Sequence, residues 1–245
     1  MNNSITIPTE PIGSIPRPRE LVEGLQAFAQ GKITRQELDV LESSATRDTI
    51  ARLELTGSPV VTDGEQSKPS FVTYPIAGLS RLEPGGVSIP FDDGHERQLP
   101  LLSAGPFRYA TYADTYLEKA KRYAKTPIKQ AVISASALSL LYPEGGIAGY
   151  DRETFLEDLV DEAESDIRRC LASGAHAVQI DFTEGRLAVK LDPSKTLLRS
   201  FVALNNQVLD RFSLEERSRI GVHTCPGGDH DSTHSADVDY SELLP

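Results

Sequence analysis

Short apolar runs rich in β-branched residues recur along this chain, and several of them end in a polar residue beside a glycine. The run into Ile12-Gly13-Ser14 is one. Pro59-Val60-Val61-Thr62-Asp63 runs into Gly64-Glu65, Ala177-Val178-Gln179-Ile180-Asp181 is followed by Glu184-Gly185, and Ile220-Gly221-Val222-His223 leads to Cys225. Helical patterns separate these runs, which is the signature of an α/β fold with parallel strands. In a parallel (β/α) barrel the strand C-termini converge on one face, and that is where chemistry sits. Open doubly wound sheets also bind at strand ends, but no G-x-G-x-x-G follows the first strand and no P-loop is present. The expected fold is therefore a (β/α)8 TIM-barrel-type domain spanning residues 1–245. It is expected to be incomplete, with about six of eight strands and the C-terminal strands lacking.

Between the strands, Thr34-Arg35-Gln36-Glu37 forms a capping box that opens a helix ending before Gly57. Residues 81–98 contain several Gly, Pro and Asp and read as a hairpin excursion. A third strand is predicted at Leu101-Leu102-Ser103-Ala104, stopped by Gly105-Pro106, and a fourth over Ile128–Ser136. The clearest helix lies between Asp151 and Ser173. Phe155, Leu159, Ala163, Ile167, Cys170 and Leu171 share one of its faces, and Glu157-Asp158 through Asp161-Glu162-Glu164 read as its wet face. Cys170 is then a packed core thiol, and His176 a surface or turn residue. A further helix over Leu197–Phe212 precedes a second capping box at Ser213-Leu214-Glu215-Glu216.

A net charge of −11 argues against nucleic acid or an anionic membrane surface as a partner, since both demand basic surface. No apolar run has the length to span a bilayer. The N-terminus has neither a basic segment nor an apolar core, so no signal peptide is expected. Two cysteines make no disulfide framework, and a reducing cytoplasm is the expected compartment.

Residues i and i+2 of a strand point to the same face, so His223 and Cys225 can aim imidazole and sulfur at one point. Nitrogen plus thiolate is a ligand pair that zinc favours. The Pro226-Gly227-Gly228 that follows stops the strand and turns the backbone beside the pair. His230 and His234, spaced i and i+4, are open to two readings. They could complete a zinc site with Cys225, or belong to a polar loop, and the neighbouring Asp229, Asp231, Asp237 and Asp239 favour the loop. Glu65 and Asp181 are strand-end carboxylates suited to substrate binding. Arg17 and Arg19 read equally as anion contacts or surface residues.

Taken together, Ile12-Gly13-Ser14 with Pro16-Arg17, Asp63-Gly64-Glu65, Gln179-Ile180-Asp181 through Glu184-Gly185-Arg186, and His223-x-Cys225 resemble the catalytic barrel of cobalamin-independent methionine synthase. The likeness is greater to the stand-alone, methionine synthase II-like members. The resemblance implies a zinc ion (Zn2+) that binds a substrate thiol and presents it as thiolate to an electrophilic carbon. It further implies methyl transfer from 5-methyltetrahydrofolate (polyglutamate) to homocysteine, giving methionine. Carried over by motif, His223 and Cys225 match two zinc ligands. The Ile12, Gly13 and Ser14 backbone and Glu65 match positions that hold the amino acid, and Asp181 matches the carboxylate that pairs with its ammonium. Glu184 matches a carboxylate near the folate, although Phe182-Thr183 stand where the family has Glu-Pro. The family's remaining zinc ligands and its proton-donating histidine correspond to nothing before Pro245. Two alternatives stay open: the same chemistry on another thiol such as coenzyme M, and a non-catalytic truncated barrel that self-associates through its open edge.

Overall fold

The computed structural model describes residues 9–225, 228–229, 233–234 and 238–243. Two helices come first, α1 (Arg19–Ala29) and α2 (Arg35–Leu55). The expected capping box is present: the Thr34 hydroxyl accepts from the Glu37 amide while the Glu37 carboxylate accepts from the Thr34 amide. Gly57 sits beyond the helix at φ 76°, the left-handed conformation that glycine adopts without a Cβ clash. Leu21 and Leu38 are buried where α1 and α2 pack, in a small apolar cluster of their own.

The next segment departs from a regular barrel. Two short antiparallel pairs form: β1 (Leu82–Glu83) with β4 (Leu101–Leu102), and β2 (Ser88–Pro90) with β3 (Glu96–Gln98). The excursion over 81–98 is thus a hairpin, as expected. The predicted third strand, Leu101–Ala104, is not a parallel stave; it ends after Leu102 and pairs only with β1. The physical cause is composition, because a two-residue apolar run before Gly105-Pro106 buries too little surface to hold a central position.

The parallel core follows. After α3 (Asp114–Ala120) come β5 (Lys129–Ile133), the one-turn α4 (Ala135–Leu138), α5 (Arg152–Ala172), β6 (Ala177–Asp181), α6 (Glu184–Leu191), α7 (Thr196–Leu209), α8 (Leu214–Arg217) and β7 (Ile220–His223). Strands β5, β6 and β7 form one parallel sheet in that order, and Val61 adds a parallel bridge to Ile128. The second predicted strand, Pro59–Asp63, therefore enters the sheet through Val61 alone, and the fourth stops at Ile133, where Ser134 caps α4. Residues 9–12 have no strand, and residues 1–8 lie outside the described residues. Among the described residues, three parallel strands and one bridge stand where about six staves are expected.

Every residue of β5 is buried, whereas β7 is half-exposed, and Val222 keeps 58% of its surface. Among the described residues no strand pairs with the outer edge of β7. Val178 and Ile180 of β6 pack with Phe155, Leu159, Ile167 and Cys170 of α5 in the main core. Cys170 is fully buried there, as expected, and burial pushes its thiol pKa far up; His176 is exposed. Among the described residues no helix is long and apolar enough to cross a membrane.

The acidic face of α5 corrects the sequence reading. Glu162 and Asp166 are buried and Asp158 is partly so, and each carboxylate binds one backbone amide and one tyrosine hydroxyl. Asp158 accepts from the Phe107 amide and Tyr150, Glu162 from the Tyr109 amide and Tyr112, and Asp166 from the Ala113 amide and Tyr74. The four-residue spacing puts the three acids on one stripe. That stripe satisfies the irregular segment 107–113, whose amides have no strand to pair with. Glu162→Ala should therefore cost about 2 kcal/mol in urea denaturation, since it orphans a buried amide and a partly buried hydroxyl. Glu157→Ala, on the exposed side, should stay within about 0.5 kcal/mol.

Candidate functional site

The site is built where Val61 and the C-terminal ends of β5, β6 and β7 come together. In the ladder Ala131 pairs with Gln179 and Gln179 with Gly221, while Ile133 pairs with Asp181 and Asp181 with His223. Cα partners in a parallel ladder point the same way, so Asp181 and His223 stand side by side on one face. Lys129 shares that face by alternation.

Asp63-Gly64-Glu65 supplies the second half. Gly64 and Glu65 both have positive φ, 65° and 56°. For glutamate this is a costly conformation, held here by local bonds. The Glu65 amide donates to Asp63 Oδ1 at 2.9 Å, and the Thr62 hydroxyl donates to the Gly13 carbonyl at 3.0 Å. The Ile15 amide donates to the Gly64 carbonyl at 3.1 Å. A Cβ on Gly64 would meet Thr49 Cγ2 at 2.6 Å, so that position requires glycine. Ile12-Gly13-Ser14 is thereby drawn against the Asp63–Glu65 turn, with Gly13 buried and Ile12 and Ser14 exposed.

Lys68, which the sequence reading passes over, is the centre of the cluster. It is 2% exposed, and its Nζ lies 3.0 Å from Glu65 Oε1 and 2.8 Å from the Ala131 carbonyl. Burial works against its charge, but Glu65, Asp63 and Asp181 outweigh it and raise its pKa. The signal available in the sequence was a lone lysine three residues after a strand-end glutamate, which is indistinguishable there from a surface pair. Arg17 is half-buried and donates to the Glu65 and Lys68 carbonyls, so it braces the turn. Arg19 pairs with Glu23 on the surface.

Three carboxylates thus gather about Lys68, with the buried Lys129 acting on Asp181 and the half-buried Arg17 on Glu65. Burial raises Asp63, whose Oδ2 has no hydrogen-bond partner. Asp181 is lifted to about 7, by burial first and by the Glu65 charge second, while accepting from Gln179 Nε2 at 2.8 Å. The cluster carries more potential negative charge than Lys68 neutralises, and a cationic group entering it would relieve both carboxylates.

Glu184 is buried at the start of α6, and its Oε1 accepts from the Ser134 hydroxyl at 2.5 Å and from the Ser136 hydroxyl. Asn205 in turn donates to Ser136 Oγ at 2.7 Å. Glu184 Oε2 is left without a partner, and burial lifts the acid to about 6. No hydrogen bond or ion pair joins it to Asp63, Glu65, Lys68 or Asp181 among the described residues, so it forms a separate polar centre.

His223 is half-buried, and its pKa is lowered by burial and then by the Lys129 charge. A neutral imidazole is the form that binds a metal. Cys225 lies two residues on, past the strand end, and is partly exposed. Both donors suit zinc, yet a catalytic zinc carries three protein ligands. Among the described residues no group of three or more His, Cys, Asp and Glu is arranged to hold a metal. His230 and the side chains of Asp229 and His234 lie outside the described residues. The described donors therefore fall short of a complete zinc centre. Tyr240 closes over this end, donating to the Thr224 carbonyl and stacking 4.2 Å from the Arg186 guanidinium.

The Glu184 acid gives a pH test. Its folded pKa is raised, so the folded state retains a proton that the unfolded chain has lost. Its contribution to stability therefore falls as pH rises from the ordinary glutamate range through about 6. Glu184→Gln should gain stability relative to wild type between pH 4.5 and 7.5, read from urea midpoints; a constant difference across that range would contradict the assignment.

No protein-family model matches the chain. A methionine synthase from Pyrococcus furiosus is 20% identical over 224 residues, which are 89% of this chain and 61% of that protein. The chain thus spans less than two thirds of that curated relative. Among solved structures, a B12-independent methionine synthase from a Shewanella species, in complex with selenomethionine, superposes with a TM-score of 0.60 at 18% identity, covering 82% of this chain and 56% of that one. A protein from Listeria monocytogenes assigned as a vitamin-B12-independent methionine synthase gives 0.63 at 21% identity, covering 92% and 68%. These likenesses establish an α/β fold shared with the methionine synthase structures. In sequence and in fold, this chain is similar to the cobalamin-independent methionine synthases over part of their length.

Proposed function

We propose that this chain forms one barrel domain carrying the amino-acid subsite of a methyltransferase of the cobalamin-independent methionine synthase type. The proposed reaction moves a methyl group from N5 of 5-methyltetrahydrofolate to the sulfur of homocysteine. The new bond is S–CH3 and the broken bond is N–CH3, whose electron pair stays on nitrogen. The thiol proton ends, in net balance, on that nitrogen.

The observation that supports this reading is a pair of buried carboxylates that burial raises: Asp63, whose Oδ2 has no hydrogen-bond partner, and Asp181. An α-amino acid brings an ammonium that would satisfy them. Asp181 and Glu65 then hold the homocysteine ammonium, and the backbone of Ile12, Gly13 and Ser14 lines the same turn. The imidazole of His223, in register with Asp181, sets the sulfur end. Coenzyme M carries a sulfonate and no amino group, so this cluster disfavours it. Glu184, with its unpartnered Oε2, is proposed for the folate side.

Zinc belongs to the proposal as a metal held by His223 and Cys225 with further ligands from outside the described residues. When bound, it would lower the pKa of a substrate thiol. A second reading, a non-catalytic barrel portion that self-associates, is favoured by one observation: β7 has an unpaired outer edge among the described residues and an exposed Val222.

Calorimetry and metal analysis separate the readings. The wild-type protein should bind L-homocysteine and L-methionine in preference to coenzyme M, and Asp181→Asn should weaken L-methionine binding by about tenfold or more. Zinc should co-purify and be lost on Cys225→Ala. Metal-free protein that forms oligomers and binds neither amino acid would support the second reading instead.

A further inference from the structure

We infer that Lys68 is a positioning residue for the amino-acid subsite, acting through Glu65; the inference rests on the proposed binding of a substrate ammonium there. Its geometry is that of a fixed clamp. The ammonium bonds Glu65 Oε1 and the Ala131 carbonyl of β5, which ties the turn after the Val61 segment to the neighbouring strand. Its remaining side is covered by aromatic rings, with Nζ 4.8 Å from the Tyr74 centroid and 5.8 Å from that of Tyr116. Cation–π contact favours the charged form in a site closed to water.

The seat itself is held in place. Tyr74 is fully buried, and its hydroxyl donates to Asp166, the last acid of the α5 stripe. A long, flexible side chain is thereby confined to one rotamer. Lys68 engages Oε1 of Glu65 and not Oε2, and Arg17 holds the carbonyls of both residues. Glu65 has a left-handed backbone, a conformation that persists only where its surroundings over-determine it. A lysine serving only to neutralise charge would need neither the bond to the Ala131 carbonyl nor the aromatic seat.

A pair of probes tests this. L-methionine and 4-(methylthio)butanoate differ only in the α-amino group, so their affinity ratio isolates the ammonium subsite. Wild type should prefer L-methionine. Lys68→Met should lose about tenfold of that preference while binding 4-(methylthio)butanoate unchanged. A folded Lys68→Met that keeps the preference overturns the inference and leaves the functional reading intact. A wild type without the preference overturns the functional reading itself. Because Lys68→Met leaves buried acids unpaired and could unfold, the wild-type Lys68 ammonium is also followed by nitrogen-detected NMR. Its signal should shift on adding L-methionine and stay still with 4-(methylthio)butanoate; a signal that ignores L-methionine overturns the inference.

Discussion

The buried ammonium of Lys68 organises the centre of this protein. Lys68 lies inside the fold, and taking a charge out of water is expensive unless partners replace the solvent. Here the partners come from three separate parts of the chain: Glu65 on its own turn, the Ala131 carbonyl on β5 and the Tyr74 ring. The fold therefore cannot close around Lys68 without bringing Asp63, Glu65 and Asp181 together. The anionic cluster follows from the same constraint, and with it the preference for a positively charged guest.

The second organising element is α5. Its apolar stripe fills the core against β6, while its acidic stripe replaces a missing strand partner for residues 107–113. Tyr74 joins the two, lying under Lys68 on one side and bonded to Asp166 on the other. Burial holds the Asp166 acid up at about 6 and Tyr74 well above the usual phenol value. Tyr74 thus keeps its hydroxyl proton near neutral pH and donates it to Asp166.

Much of this architecture was legible in the residues. Both capping boxes, the α5 core stripe with Cys170, and the β6 and β7 segments are local patterns, and local patterns survive into structure. The turn at Gly64-Glu65 was readable as a strand end, and Asp181 and His223 as neighbours on one face. What was not legible depended on distant partners. Asp158 and Glu162 have the composition of a wet helix face, and only the amides of 107–113 turn them inward. Leu101–Leu102 has strand composition but pairs with Leu82–Glu83. Lys68 carries no sequence signal at all, since its burial comes from Tyr74 and β5.

The α5 stripe has a consequence for how this region can change over time. Asp158, Glu162 and Asp166 grip the main chain at Phe107, Tyr109 and Ala113, and every residue except proline offers the same N–H. An exposed position in that stretch such as Ala110 is therefore free to be exchanged without loosening the grip, whereas Arg108 is itself ion-paired with Asp158 and Glu162. The three acids enjoy no such latitude, because no other side chain offers two acceptors at that reach. Mutational tolerance should consequently be lopsided, wide along the gripped loop and narrow on the helix that holds it.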